Sequence, residues 1–350
     1  MKSVVMLGPA PGSKGGMASV IATLLAHGYA EQGGCRFIPT QVDGGVLRKA
    51  ARAAAALAQF GALLAARRVS LLHVHVASGP SFWRKAAFIT AANGAGCPVL
   101  FHLHGGEFRQ FVDERLSGQR QRVARTLIGS AAAAFVLTAD SAAWLCERCH
   151  VRQVEVFPNP VDCAGMLPRA PGTDVLFIGR LDARKGVLDL LHAFAHVARA
   201  RPAARLVLAG EGDTGALLAL ARALGIVDRL ALPGWVEGRR RALLLSTAAV
   251  FVLPSHNEQM PMSLLEAMAA GIPVIGSDAG AIPDLLAHGR CGFVIGAKDI
   301  GGLAGAIIRI LDNHILADTL SALGLERVKS EYEVGAVLQR LRRRYQELAA

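Results

Sequence analysis

Residues 255–286 read SHNEQMPMSLLEAMAAGIPVIGSDAGAIPDLL, and the placement of two acids in this stretch decides how the chain is built. Glu258 follows the apolar run 250–253, so it falls in a loop at the C-terminal mouth of a strand. Glu266 falls within residues 262–270, where Leu265, Met268 and Ala269 recur at helical spacing, a turn or so into the next helix. Strand, loop and helix in that order are the repeating unit of an open α/β sheet, whose ligand crevice lies outside the carboxyl ends of its strands. The helix N-terminus beside such a crevice favours anions through its free N–H groups and its dipole. Two acids facing it suit a ligand with both phosphates and sugar hydroxyls.

Residues 177–194, FIGRLDARKGVLDLLHAF, read in the same way: a buried strand end, a turn carrying Arg180 and Lys185, and a helix opening near Gly186. A planar guanidinium fork and a compact ammonium beside a helix N-terminus can hold a diphosphate and stabilise it as it leaves. Together the two stretches resemble the retaining glycosyltransferases of family 4, which have the GT-B fold. The resemblance rests on Gly179-Arg180-Leu181 followed by Lys185-Gly186, and on Glu258 and Glu266 with the ending EAMAAGIPV. It implies that Arg180 and Lys185 bind the donor diphosphate, Glu266 the nucleotide ribose and Glu258 sugar hydroxyls near the anomeric carbon.

The likeness reaches into the first half of the chain. VVMLGPAPGSKGGMASVI (residues 4–21) is similar to the family's first strand, glycine loop and helix, which places Gly15 and Gly16 where backbone approaches the donor phosphates. PVLFHLHGG (residues 98–106) is similar to a strand ending in a histidine near the reacting centre, which puts His104 there. FPNPVD (residues 157–162) resembles the segment entering the interdomain linker, and Gly210-Glu211-Gly212 the glycine turn by the nucleotide. One departure stands out: Gln259-Met260-Pro261 follows Glu258 where many members carry Gly-Phe-Gly, so no donor is assigned from that loop.

A chain of 350 residues suffices for two domains, and 52% hydrophobic against 19% charged residues suits buried parallel strands and excludes disorder. Strand-like runs at residues 3–7, 71–76, 99–102, 134–137 and 154–157, then at 174–178, 206–209, 250–253, 273–275 and 292–295, alternate with helix-like stretches. Two such sets predict two Rossmann-like domains facing an interdomain cleft. The prolines at 158, 160, 168 and 171 mark the break, giving an acceptor-binding domain over 1–168 and a donor-binding domain over 171–333. Residues 334–350 resemble the family's terminal helix that crosses back onto the first domain.

The net charge of +11 is unevenly spread, with 18 Lys and Arg against nine Asp and Glu in residues 1–170, and 20 against 18 afterwards. Arg48, Lys49, Arg52, Arg67 and Arg68 bracket an apolar helix-like segment, a pattern that docks on anionic lipid or is simply a solvated face. No aromatic-interleaved basic stripe points to nucleic acid. The start, Met1-Lys2, leads straight into a strand with no signal-peptide pattern, so the expected location is cytoplasmic, peripheral at the inner membrane face.

Other motifs carry less. Cys146-x-x-Cys149-His150 has haem-attachment spacing but continues a helix-like run, and Gly8 to Lys14 narrowly misses a P-loop. His73, His75 and His102 suggest metal but lack a carboxylate or cysteine at ligand spacing. No D-x-D pair occurs, so no metal or other cofactor is expected. The expected function is metal-independent, retaining transfer from a GDP- or UDP-linked sugar to a saccharide acceptor, polyprenyl-linked, in exopolysaccharide or glycolipid assembly. The alternatives are a catalytically silent GT-B scaffold, which the retained Arg180, Lys185 and Glu258 argue against, and an epimerase-like GT-B enzyme.

Overall fold

The computed structural model describes residues 2–30, 34–167, 169–170 and 172–349. The chain divides into two compact units. The first, Met1–Pro160 with Val334–Ala350, runs β1 (Ser3–Pro9), α1 (Gly16–Ala26), β2 (Cys35–Gln41), α2 (Val46–Ala65), β3 (Val69–Val76), α3 (Pro80–Gly94), β4 (Val99–Leu103), α4 (Phe108–Asp113), α5 (Gly118–Gly129), β5 (Ala133–Val136), α6 (Ala139–Cys149) and β6 (Val154–Val156). The second, Val161–Glu333, runs β7 (Asp174–Ile178), a 3-10 turn (Ala183–Lys185), α7 (Val187–Ala200), β8 (Arg205–Ala209), α8 (Thr214–Ala223), β9 (Leu230–Gly234), α9 (Gly238–Thr247), β10 (Ala248–Leu253), α10 (Met262–Ala269), β11 (Val274–Ser277), α11 (Ile282–Leu285), β12 (Phe293–Ile295), α12 (Ile300–Asp312) and α13 (His314–Glu331). The last helix, α14 (Val334–Ala349), belongs to the first unit.

Each unit holds one six-stranded sheet, ordered β2-β1-β3-β4-β5-β6 and β12-β11-β10-β7-β8-β9, and the ladders are parallel. Central strands such as β10 (AAVFVL) are buried at every position, as a sheet covered by helices on both faces requires. The strand order reverses between β1 and β3 in the first sheet and between β7 and β10 in the second. At such a reversal the flanking helices leave on opposite faces and open a crevice at the strands' C-terminal ends.

Two strands absent from the sequence expectation, β2 and β9, are edge strands. β2 alternates buried and partly exposed residues, and β9 is partly exposed throughout and contains Pro233 and Gly234. An edge strand needs neither a continuous apolar run nor every N–H, which hides it from an apolar-run reading.

The domain break also shifts. Residues 161–167, expected in the first domain, belong to the second unit, because Val161 pairs with Glu333, its N–H donates to Tyr332 O at 2.9 Å, and Cys163 N–H donates to the Glu333 carboxylate at 3.1 Å. Pro168 and Pro171, which set the expected boundary, lie outside the described residues. Within the first unit α14 is fixed by Val337, Leu338 and Leu341, by Arg340 on the Glu155 carboxylate at 2.6 Å, and by Tyr345 OH, 2.6 Å from His73 Nδ1 and 3.1 Å from Tyr29 OH. The haem-like cysteine pair is helix: Cys149 is buried in α6 and His150 is its left-handed C-cap. Among the described residues no single helix is long and apolar enough to cross a membrane.

Candidate active site

In the second unit the chain after β7 turns through Gly179, Arg180 and Leu181 before the 3-10 turn that leads into α7. This loop is tied to the loop after β8: Gly179 N–H donates to Ala209 O at 3.0 Å and Leu181 N–H to Glu211 O at 2.8 Å. A Cβ on Gly210 would lie 1.7 Å from Gly179 O, so glycine is required there by close approach. Gly210, expected at the nucleotide, thus has a packing reason of its own: it fixes the backbone on either side of Arg180. The Arg180 side chain is 70% exposed, with Nε 3.4 Å from the Asp182 carboxylate, so solvent and a dissolved anion reach it.

Asp182 also accepts the Lys185 N–H at 3.2 Å, closing the 3-10 turn, and Gly186 follows at φ 69°. A Cβ on Gly186 would lie 1.9 Å from Pro254 O, so the loops after β7 and β10 meet backbone to backbone across the strand reversal. His256 reinforces the contact, with its N–H on Arg184 O at 2.7 Å and its Nε2 2.5 Å from the Asp189 carboxylate on α7. This junction brings Lys185 and Glu258 together: the ammonium donates to Glu258 Oε1, and Ser255 Oγ donates to the same oxygen at 3.0 Å. The pair is partly buried, with Lys185 26% and Glu258 9% exposed. Glu258 is held from behind by Gly280, where a Cβ would lie 2.0 Å from Glu258 O, while Ala281 N–H donates to Gln259 O at 2.8 Å. The unusual Gln259-Met260-Pro261 segment is therefore pinned to the turn after β11, and Met260 is buried.

Glu266, in the second turn of α10, forms a separate pair. Arg241 of α9 donates from Nε to Glu266 Oε2 at 2.7 Å and from a second nitrogen to the same oxygen. Burial pushes the Glu266 carboxyl above its ordinary range, and the Arg241 charge opposes that shift. Arg241 went unnoticed in the sequence; its only signal is the run Arg239-Arg240-Arg241 opening α9. Neither α7 nor α10 has a side-chain cap at its N-terminus, so both helices keep free N–H groups beside Lys185 and Glu258.

Gly15, Gly16 and His104 lie in the first unit. Gly15 precedes α1 at φ 124°, and Gly16 opens a helix with no side-chain cap and no acid in its first turn, an anion-ready terminus like those of α7 and α10. His104 extends β4 by one ladder bond, its N–H donating to Val76 O at 2.9 Å, and its Nε2 lies 2.8 Å from His75 Nδ1. His73 Nε2 lies 3.1 Å from His102 Nδ1, so four histidines form two bonded pairs across β3 and β4. Burial pushes His73 and His104 down to about 3 and lowers His75 and His102 as well, so the rings are neutral at pH 7. His73, His75 and His102 bring ring nitrogens within 4.8 Å of one another, yet both nitrogens of His73 are already bonded, to Tyr345 and to His102, which leaves no open three-nitrogen set.

The Arg241–Glu266 pair is partly buried, with side chains 23% and 17% exposed, and removing one partner strands the other's charge at a cost of up to about 3 kcal/mol. Arg241→Met is therefore expected to lower the unfolding free energy by up to about 3 kcal/mol, and Glu266→Gln in the same chain to restore a large part of it. Chemical denaturation of the two variants checks this; no loss in Arg241→Met would show that Glu266 is not held by Arg241 in solution.

Residues 16–164 match the family described as Glycosyltransferase Family 4, and residues 172–313 match Glycosyl transferases group 1. A phosphatidyl-myo-inositol mannosyltransferase of Mycobacterium tuberculosis is 28% identical over 371 residues, covering 99% of this chain and 92% of the relative. A glycogen synthase of the same species is 30% identical over 187 residues, which is 52% of this chain and less than half, 45%, of the relative's length. Among solved structures, a sucrose-phosphate synthase from Thermosynechococcus elongatus superposes with a TM-score of 0.81 at 20% identity over 99% of both chains. Anabaena HepE, solved with UDP-glucose, gives 0.77 at 17% identity over 99% of this chain and 100% of that one. These structural likenesses speak for the fold, and the two sequence matches fall one on each unit in the family's order. The chain belongs to the family 4 and group 1 glycosyltransferases and has their GT-B fold.

Proposed function

We propose that the protein moves a sugar from a nucleotide-diphosphate sugar to a saccharide acceptor, with retention of configuration, in polysaccharide or glycolipid assembly. The observation that carries this reading is the Lys185–Glu258 ion pair at the β7/β10 reversal, with Arg180 exposed beside it. A donor diphosphate replaces Glu258 as the partner of Lys185 and takes the Arg180 fork; the carboxylate so released accepts hydrogen bonds from sugar hydroxyls. Arg241 occupies only Oε2 of Glu266, which leaves Oε1 for the ribose. Gly15 and Gly16 offer backbone N–H groups to phosphate oxygens. His104, neutral and with Nε2 committed to His75, presents Nδ1 to the sugar or the acceptor. The departing phosphate oxygen assists same-face attack, and two fixed cations in place of a metal carry the leaving-group charge.

UDP- and GDP-linked donors both fit this chemistry, and the UDP-glucose bound by Anabaena HepE supports the former. The mannosyltransferase relative is named for phosphatidyl-myo-inositol, which supports a lipid-linked acceptor, polyprenyl-linked in our reading. The first turn of α2 adds to this. Val46 and Leu47 are 82% and 86% exposed, beside Arg48 and Lys49 and with no acid in the turn. Cations at a helix N-terminus oppose its dipole, and an anionic lipid surface relieves that cost while accepting the two apolar side chains. The cytoplasmic leaflet offers such a surface, so a peripheral position there is part of the proposal.

Arg180→Ala and Lys185→Ala should each raise the barrier by about 2.7–4 kcal/mol, a loss of ~10²–10³ in kcat, with the fold intact and with wild-type turnover insensitive to EDTA. Wild-type rates in both variants, or a strict need for added Mg²⁺, would refute this mechanism. In vesicle co-sedimentation the wild type should bind anionic vesicles in a salt-sensitive way, and Leu47→Ser/Arg48→Glu should lose about 1 kcal/mol or more of that binding. Equal binding to neutral and anionic vesicles would contradict the docking.

A further inference from the structure

The donor chemistry leaves two cations of the first unit without a task, Lys85 buried and Arg84 half-buried. Arg84 and Lys85 are neighbours in the second turn of α3. Lys85 is 1% exposed, and among the described residues no hydrogen bond or ion pair engages its ammonium. Arg84 donates to Gln41 Oε1, while its Nε is buried without a partner. Lysine is almost never fully buried unless paired, because taking its charge out of water costs several kcal/mol. Burial first, then the Arg84 charge, accordingly bring Lys85 down to about 7. The surroundings point to where the missing anion belongs. Gln41 ends β2, and His75, whose basicity the Lys85 charge helps to depress, is the next-to-last residue of β3 and bonds His104 at 2.8 Å. Both cations therefore stand at the C-terminal edge of the first sheet, the edge at which open α/β sheets take their ligands.

We propose that Arg84 and Lys85 form a binding site for a phosphate group carried by the sugar acceptor. The assignment rests on the glycosyl-transfer reading above and gives the acceptor a chemical class. Two cations match the charge of a phosphate and exceed that of a carboxylate. The fork supplies two directed donors and the ammonium a compact third. A neutral saccharide would leave Lys85 as unpaired as it stands now. A free sugar phosphate and the head group of a lipid-linked sugar share this chemistry.

The test is calorimetric titration of the full chain with inorganic pyrophosphate after the donor site has been saturated with UDP or GDP, whichever binds. Wild type should take up one further pyrophosphate, and Lys85→Met and Arg84→Gln should each weaken it about tenfold or more, the loss of one charge-assisted hydrogen bond. Both variants should bind the nucleoside diphosphate as wild type does. Lys85→Met keeps a chain of similar length and removes a buried charge that has no partner, so a melting temperature at or above that of wild type shows that the fold is intact. Displacement of the pyrophosphate by glucose 1-phosphate assigns the site to a soluble sugar phosphate, and displacement only by vesicles containing a polyprenyl diphosphate assigns it to a lipid-linked one. No second pyrophosphate in the wild type, or unchanged affinity in both variants, overturns the site while leaving the donor reading intact. Failure of the wild type to bind either nucleoside diphosphate removes the glycosyl-transfer reading and this site with it.

Discussion

The second unit depends on one backbone contact, the approach of Gly186 to the Pro254 carbonyl, which leaves no room for a Cβ. A strand order that reverses between β7 and β10 sends the two following loops out side by side, and this contact sets the distance between them. Lys185 immediately precedes the glycine and Glu258 lies four residues beyond the proline, so the spacing that forbids a side chain also brings an ammonium to a carboxylate. Such a partly desolvated pair adds little to stability, because the desolvation of its charges offsets most of the attraction. Its worth lies in holding two charged groups in place, one of each sign, for a ligand that has phosphates at one end and hydroxyls at the other.

The first unit solves a different problem with neutral groups. Four histidines alternate along β3 and β4 on one face, where burial keeps them uncharged and their ring nitrogens bond one another instead of water. Tyr345 from α14 completes the chain through His73, so the last helix of the sequence caps a polar ladder near its middle. The same desolvation acts on Lys85, which has no partner to offset it. The histidines bond one another in pairs, which leaves only His75 Nε2 and His102 Nε2 of the cluster buried without a partner, whereas the whole charge of Lys85 lacks one and reads as one half of an interaction.

Much of this was legible in the sequence, for reasons that differ from residue to residue. Central strands showed as continuous apolar runs, whereas β2 mixes polar with apolar residues and β9 has only three apolar residues before Pro233 and Gly234, which read as a turn. Arg180, Lys185, Glu258 and Glu266 were readable from their spacing and their family resemblance, since each follows a strand at a fixed offset. That Lys185 and Glu258 bond each other could not be read, because the contact spans 73 residues and depends on the strand reversal. Arg241 was lost in a run of three arginines that gives no hint which one turns inward. Gly210 resembles the family's glycine turn by the nucleotide, and nothing in the sequence signals its second reason for being glycine, the close approach to Gly179 O. Proline marks where periodicity stops, while the pairing of Val161 with Glu333, which no local pattern announces, places residues 161–167 with the second unit.

The central claim is that Lys185 and Glu258 hold each other only until a donor separates them. A crystal structure with the intact nucleotide sugar tests this most directly. The account predicts Lys185 Nζ within about 3 Å of a phosphate oxygen, Arg180 turned onto the same diphosphate, and the Glu258 carboxylate on sugar hydroxyls. A donor bound with the Lys185–Glu258 pair still closed, its diphosphate held elsewhere, would contradict it.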